Sequence, residues 1–135
     1  MSPLLLDTHV LVWLLEGNER LGDPARQLAD KALREEALMV SAVSFWEVAM
    51  LVHGGRLQMP QPAAGWRQRV LELGIQEIPV SGEIGILAAE LENFPRDPAD
   101  RIITATALTR GATLITADAK ILAWKGQLAR FDARN

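Results

Sequence analysis

Four acidic side chains, Asp7, Glu47, Asp100 and Asp118, are the residues of this sequence best suited to do chemistry. Asp7 closes the apolar run Leu4-Leu5-Leu6, and Asp118 lies two residues beyond the apolar Thr113–Thr116 stretch. Glu47 sits in the apolar segment "SAVSFWEVAMLV", and Asp100 follows Asp97-Pro98 at the head of another. Like charges gathered in one concavity repel and raise one another's pKa. A hard divalent cation such as Mg²⁺ or Mn²⁺ removes that penalty and takes oxygen ligands of this kind. A carboxylate-held Mg²⁺ polarises a phosphoryl oxygen and lowers the pKa of bound water, chemistry suited to phosphodiester hydrolysis. Asp7, Asp100 and Asp118 are the candidate metal ligands; Glu47 is a further ligand or a base.

Other chemistries have less support. There is no cysteine, which excludes disulfides and thiolate metal sites, and His9 and His53 are too few and too distant for a zinc motif. No glycine-rich phosphate loop and no G-x-S-x-G elbow occurs.

Each acid also has a structural reading. Asp97-Pro98-Ala99-Asp100 fits a helix N-cap, a proline at the first helical position and an acid in the first turn. The roles divide if Asp97 caps while Asp100, which shares a helix face with Ile103 and Ala107, turns towards the sheet. Ser44 and Glu47 fit a capping box, although Phe45-Trp46 and Val48-Ala49-Met50 surround the glutamate with apolar residues. Asp7 could cap a following helix with the help of Thr8, and Asp118 could be a turn residue.

Strands alternating with helices must position these groups. Short apolar runs at 4–6, 38–40, 75–80 and 113–116 predict strands, with a weaker one at Ala129-Arg130-Phe131. Helices are expected over 9–16, from an Asp23 cap to about Glu36, over 41–52, over 64–73 to Gly74, over 82–92 from a Ser81 cap, and over 98–110 to Gly111. This order implies a three-layer α/β/α fold with a mainly parallel central sheet, residues 1–135 forming one domain. In such sheets ligands bind beyond the carboxyl ends of the strands. Asp100 reaches that end only if the loop 92–97 carries the chain back to it.

A chain of 135 residues, 49% hydrophobic, can support a core without staples. Its net charge of −3 leaves any nucleic-acid contact to local arginines, for which Arg96, Arg101, Arg56 and Arg110 are candidates. Trp13, Trp46, Trp66 and Trp124 could stack on bases; Trp46 is expected in the core, and Trp124 is left open. The longest apolar run, Val10–Leu15, is far short of a membrane span, and the N-terminus does not read as a signal peptide. A cytoplasmic protein is expected.

Four blocks, "LLLDTHVLVWLL", "SAVSFWEVAMLVHGGRL", "RDPADRIITATAL" and "TLITADAKI", together resemble PIN-domain proteins, in particular the VapC-type toxins of toxin–antitoxin pairs. The resemblance implies a metal-dependent ribonuclease acting on RNA, held inactive by a cognate antitoxin and usually homodimeric. It places the acidic quartet on Asp7, Glu47, Asp100 and Asp118, supporting hydroxyls on Thr8 and Thr116, and an S-x-W-E block on Ser44 and Trp46. Leu51 stands where relatives often have lysine, Ala99 where they have an aromatic, and Ala105-Thr106-Ala107 where they have A-Q-A. Two rivals remain beside this reading. One is a catalytically silent module that binds only its partner. The other is a receiver-like phosphoacceptor, against which Asp7 stands alone after the first strand and Ala117-Asp118 occupies the late position where such modules typically have lysine.

Overall fold

The computed structural model describes residues 2–135. In chain order the elements are β1 (Leu4–Leu6), α1 (Thr8–Glu16), α2 (Asp23–Arg34), β2 (Leu38–Ser41), α3 (Ala42–His53) and α4 (Ala63–Glu72). They continue with β3 (Gln76–Ile78), α5 (Gly82–Glu90), α6 (Pro98–Arg110), β4 (Thr113–Thr116), α7 (Ala119–Ala123) and β5 (Arg130–Asp132). The sheet order is β3-β2-β1-β4-β5, and every neighbouring pair is parallel.

Alternation along the strands builds the layers. Leu4, Leu6, Leu38, Val40 and Ile115 face one side, where they pack with Val10 and Leu11 of α1, Ala25 and Ala29 of α2, and Trp66 and Val70 of α4. Leu5, Met39 and Leu114 face the other, with Ile84 of α5, Ile103 and Ala107 of α6, and Ile121 of α7. Leu5, Leu6 and Leu114 are fully buried, so truncating any one to alanine costs about 2–5 kcal/mol.

The strand order fixes where a site can form. From β1 the chain steps outward through β2 to β3, then crosses to β4 on the other side of β1. The reversal opens a crevice beyond the carboxyl ends of β1 and β4. Asp7 follows the first of these strands and Asp118 closely follows the second.

Local signals explain most boundaries. Asp97 caps α6 by accepting from the Asp100 amide at 3.0 Å, and Gly111 ends that helix with φ 61°. Two caps differ from expectation. Gly22, not Asp23, occupies the N-cap of α2, and Asp23 is its first helical residue. The Gly22 amide donates to the Ala133 carbonyl, and a β-carbon there would lie 2.0 Å from the Asn135 carbonyl oxygen. The C-terminal segment therefore docks where an aspartate side chain would stand. Helix α3 is capped by Ser41, whose hydroxyl accepts from the Val43 amide. Ser44 and Glu47 thus lie inside the helix and form no capping box.

Candidate metal centre

Asp7 is buried at the end of β1, where it caps α1. Its Oδ1 accepts from the Thr8 amide at 2.8 Å and its Oδ2 from the Thr116 hydroxyl at 2.6 Å. The Thr116 hydroxyl also accepts from the Asp118 amide at 3.0 Å, so one side chain of β4 ties both aspartates to the strand end. Asp118 caps α7 through its Oδ1, which accepts from the Lys120 and Ile121 amides. Its turn role and its place at the site coexist.

Glu47 lies in the second turn of α3. Its Oε1 accepts from the Thr8 hydroxyl, which also contacts the Ser44 hydroxyl at 2.9 Å. The hydroxyls of Thr8 and Thr116 thus donate to the carboxylates of Glu47 and Asp7 respectively. Asp100 arrives from the first turn of α6, so the loop before it does return the chain to the carboxyl end of the sheet.

Asp7, Glu47, Asp100 and Asp118 line one hollow of about 310 Å³. Asp97, His9, Trp13 and Ala117 complete its wall. Among the described residues, no lysine or arginine side chain lines it. The result is visible in the proton equilibria. Burial, then the charges of Asp7, Asp97, Asp118 and Glu47, push the Asp100 carboxyl up to about 8. Burial also raises Asp7, partly offset by its Thr116 and Thr8 hydrogen bonds, and it raises Glu47, partly offset by Thr8. His9 favours the charged forms of both.

Among the described residues, no three acids or histidines stand in a ready-made ion cage. The gathered carboxylates are coupled but spaced. Mg²⁺ keeps several waters and takes only one or two carboxylates directly, so it does not require such a cage. An all-oxygen set of carboxylates, with His9 the one basic residue lining the hollow among the described residues, is chemically matched to such an ion.

The other anticipated contacts divide. Arg96 lines a second hollow beside the first. Arg101 is spent on structure: its guanidinium donates to the carbonyls of Pro95, Ala88 and Phe94 at 2.9–3.0 Å and of Leu91 at 3.3 Å. It thereby holds the loop that brings α6 to the site, and pairs with neither Asp97 nor Asp100. Arg56 lies beyond the C-terminal end of α3 and Arg110 is the last residue of α6; neither lines either hollow.

Trp46 is not a core residue; it is 51% exposed. The buried face of α3 runs through Ser44 and Val48, which turns Trp46 and Met50 outward together. Trp66 is buried edge-on to Phe45, and Trp124 packs edge-on against Phe94 with its indole N–H on the Glu92 carbonyl. Ala99, Ala105, Thr106 and Ala107 are all buried, and the Thr106 hydroxyl donates to the Ile102 carbonyl within the helix. These departures from the family pattern are therefore packing positions. Lys120 had escaped notice and His9 had been weighed only as a zinc ligand; each lies two residues beyond a candidate ligand, Asp118 and Asp7, which was the available signal.

A parallel sheet ordered 3-2-1-4-5 with acids converging at its switch point defines a PIN domain. The PIN domain family matches residues 4–125, and the chain belongs to that family. It is 34% identical over 122 residues to Ribonuclease VapC22 of Mycobacterium tuberculosis, covering 90% of this chain and 91% of that protein. Among solved structures, VapBC2 from Rickettsia felis bound to a DNA fragment from its promoter matches with a TM-score of 0.67 at 16% identity, over 96% of this chain and 98% of that one. DNA-bound VapBC from Salmonella typhimurium matches with 0.67 at 18% identity, over 98% of each chain. FitAcB from Neisseria gonorrhoeae matches with 0.65 at 22%, over 96% of this chain and 97% of that one. At these identities the structural likeness carries the fold. A receiver-like phosphoacceptor is set aside by family membership.

Proposed function

We propose that this protein is a metal-dependent endoribonuclease, the toxin of a toxin–antitoxin pair, acting on RNA in the cytoplasm. The observation that carries the reading is the convergence of Asp7, Glu47, Asp100 and Asp118 in one hollow whose described lining holds no lysine or arginine. The 34% identity to Ribonuclease VapC22 supports RNA as substrate. The toxin–antitoxin and VapBC complexes among the structural matches support a cognate antitoxin as partner.

Asp7, Asp100 and Asp118 would hold Mg²⁺ or Mn²⁺. Bound there, the ion supplies Lewis-acid polarisation of the phosphodiester and offsets charge developing on it. Thr8 and Thr116 orient the ligands, as outer hydrogen bonds commonly do at metal sites. Glu47 has one carboxylate oxygen held by the Thr8 hydroxyl. Its Oε2 is left to take a proton from the attacking water, and burial, which raises its pKa, makes it the stronger base. A homodimer belongs to this reading, because Trp46 and Met50 on α3 and Ile86 on α5 expose large apolar side chains.

Incubating the purified chain with single-stranded RNA in Mg²⁺ or Mn²⁺ tests the reading. Cleavage is expected, stopped by chelation and abolished in Asp7→Asn or Asp100→Asn while circular dichroism shows the fold intact. Full activity in either variant removes that residue from the mechanism. A silent partner-binding module would cut nothing and give no heat on Mg²⁺ titration.

A further inference from the structure

Two hollows meet over Asp97, Asp100 and Asp118. Only the first, about 310 Å³, includes His9 and Trp13. Only the second, about 450 Å³, includes Arg96 and Lys120. The acid centre therefore has an aromatic wall on one flank and a cationic rim on the other. His9 and Trp13 are one turn apart on α1 and share its face. Of the four tryptophans, Trp66 and Trp124 are occupied by Phe45 and Phe94, Trp46 lines neither hollow, and Trp13 packs partly against the core while also lining the first hollow. Trp13 is the one that borders the acids.

Acids alone repel a polyanion, so a strand crossing this centre must be held from its flanks. Aromatic faces hold unpaired bases by stacking, and arginine or lysine holds phosphates. Bases inside a duplex cannot reach such a wall. Resting on the ribonuclease reading above, we propose that single-stranded RNA crosses the acid centre in a fixed sense. One unpaired base lies against His9 and Trp13, and a phosphate on the other side of the scissile bond lies between Arg96 and Lys120. Arg101 takes no part, because its donors are committed to loop carbonyls.

The test walks one abasic nucleotide along a short unstructured RNA and measures kcat/KM in Mg²⁺. In the wild-type chain one position beside the cut should lose about tenfold, the size expected for one stacked base. Trp13→Leu should lose about as much on intact RNA and show no further loss with the abasic nucleotide at that position. Trp13→Phe should restore most of the activity, which separates stacking from folding. Arg96→Gln and Lys120→Gln should each flatten the logarithmic salt dependence by about 0.7 where a phosphate contact is lost, with melting temperature unchanged. Quenching of tryptophan fluorescence by the same RNA in EDTA, lost in Trp13→Phe, would support the track even if no cleavage occurs and the nuclease reading fails. Equal abasic penalties in wild type and Trp13→Leu, salt slopes unaltered in both cation variants, or no RNA binding at all would each overturn it.

Discussion

Replacing Asp100 by asparagine should stabilise the metal-free protein while ending its activity. The Asp100 carboxyl is raised from 3.8 to about 8, first by burial and then by neighbouring acids. The folded-state pKa therefore exceeds the unfolded one. Between pH 4 and pH 8, roughly, the folded chain binds more protons, and its stability falls as pH rises. Below pH 3.8 the carboxyl is neutral in both states and costs nothing. Above about pH 8 the full penalty is present. At about 1.4 kcal/mol per pH unit the gross penalty approaches ~6 kcal/mol. Asp100 is only partly buried, so solvent screening reduces this to about 2–3 kcal/mol. Urea unfolding of both proteins in EDTA, from pH 4 to pH 8.5 or so, should show equal stability at the acid end and an asparagine advantage of about 2–3 kcal/mol at the alkaline end. Added Mg²⁺ should narrow the gap, because a ligand that binds the folded wild type stabilises it by mass action. A gap that is constant with pH, or of opposite sign, would refute the claim that Asp100 sits among uncompensated acids.

Much of the fold was legible because its signals are local. Leu4-Leu5-Leu6, the Asp97-Pro98 helix start and the Gly111 stop carry their own geometry, and β1, α6 and β4 fall where the pattern predicts. The alternation of strands and helices also dictated that Asp7 and Asp118 share an end of the sheet. What escaped depends on tertiary contacts. The Gly22 cap follows from the C-terminus docking on it, which no local window contains. Trp46 looked like a core residue because α3 is apolar nearly all round, and only the choice of Ser44 and Val48 as the inward face turns it outward. Arg101 looked like a phosphate ligand because it neighbours Asp100, but four carbonyls, of Ala88 in α5 and of Leu91, Phe94 and Pro95 after it, converge on its guanidinium. His9 and Lys120 acquire meaning only once the hollows exist.

Three further outcomes follow from particular contacts. Arg101→Gln strips charge-assisted hydrogen bonds from the 88–95 loop carbonyls and should lower stability by about 2–3 kcal/mol in urea titrations. The Thr104 hydroxyl is buried with no hydrogen-bond partner among the described residues, so Thr104→Val should raise stability by about 1 kcal/mol in the same assay. Thr8→Val removes the hydroxyl shared by Ser44 and Glu47 and should weaken Mn²⁺ binding about tenfold by calorimetry. Its melting temperature should change little.

The central claim is that carboxylates from two strand ends and two helices hold one divalent-ion centre at the switch point of the sheet. Crystals grown with Mn²⁺ and measured near its absorption edge test this directly. The account predicts an anomalous peak in the hollow bounded by Asp7, Asp100 and Asp118, absent from crystals of Asp100→Asn. Bound manganese elsewhere with that hollow empty, or the same peak in the variant, would contradict it.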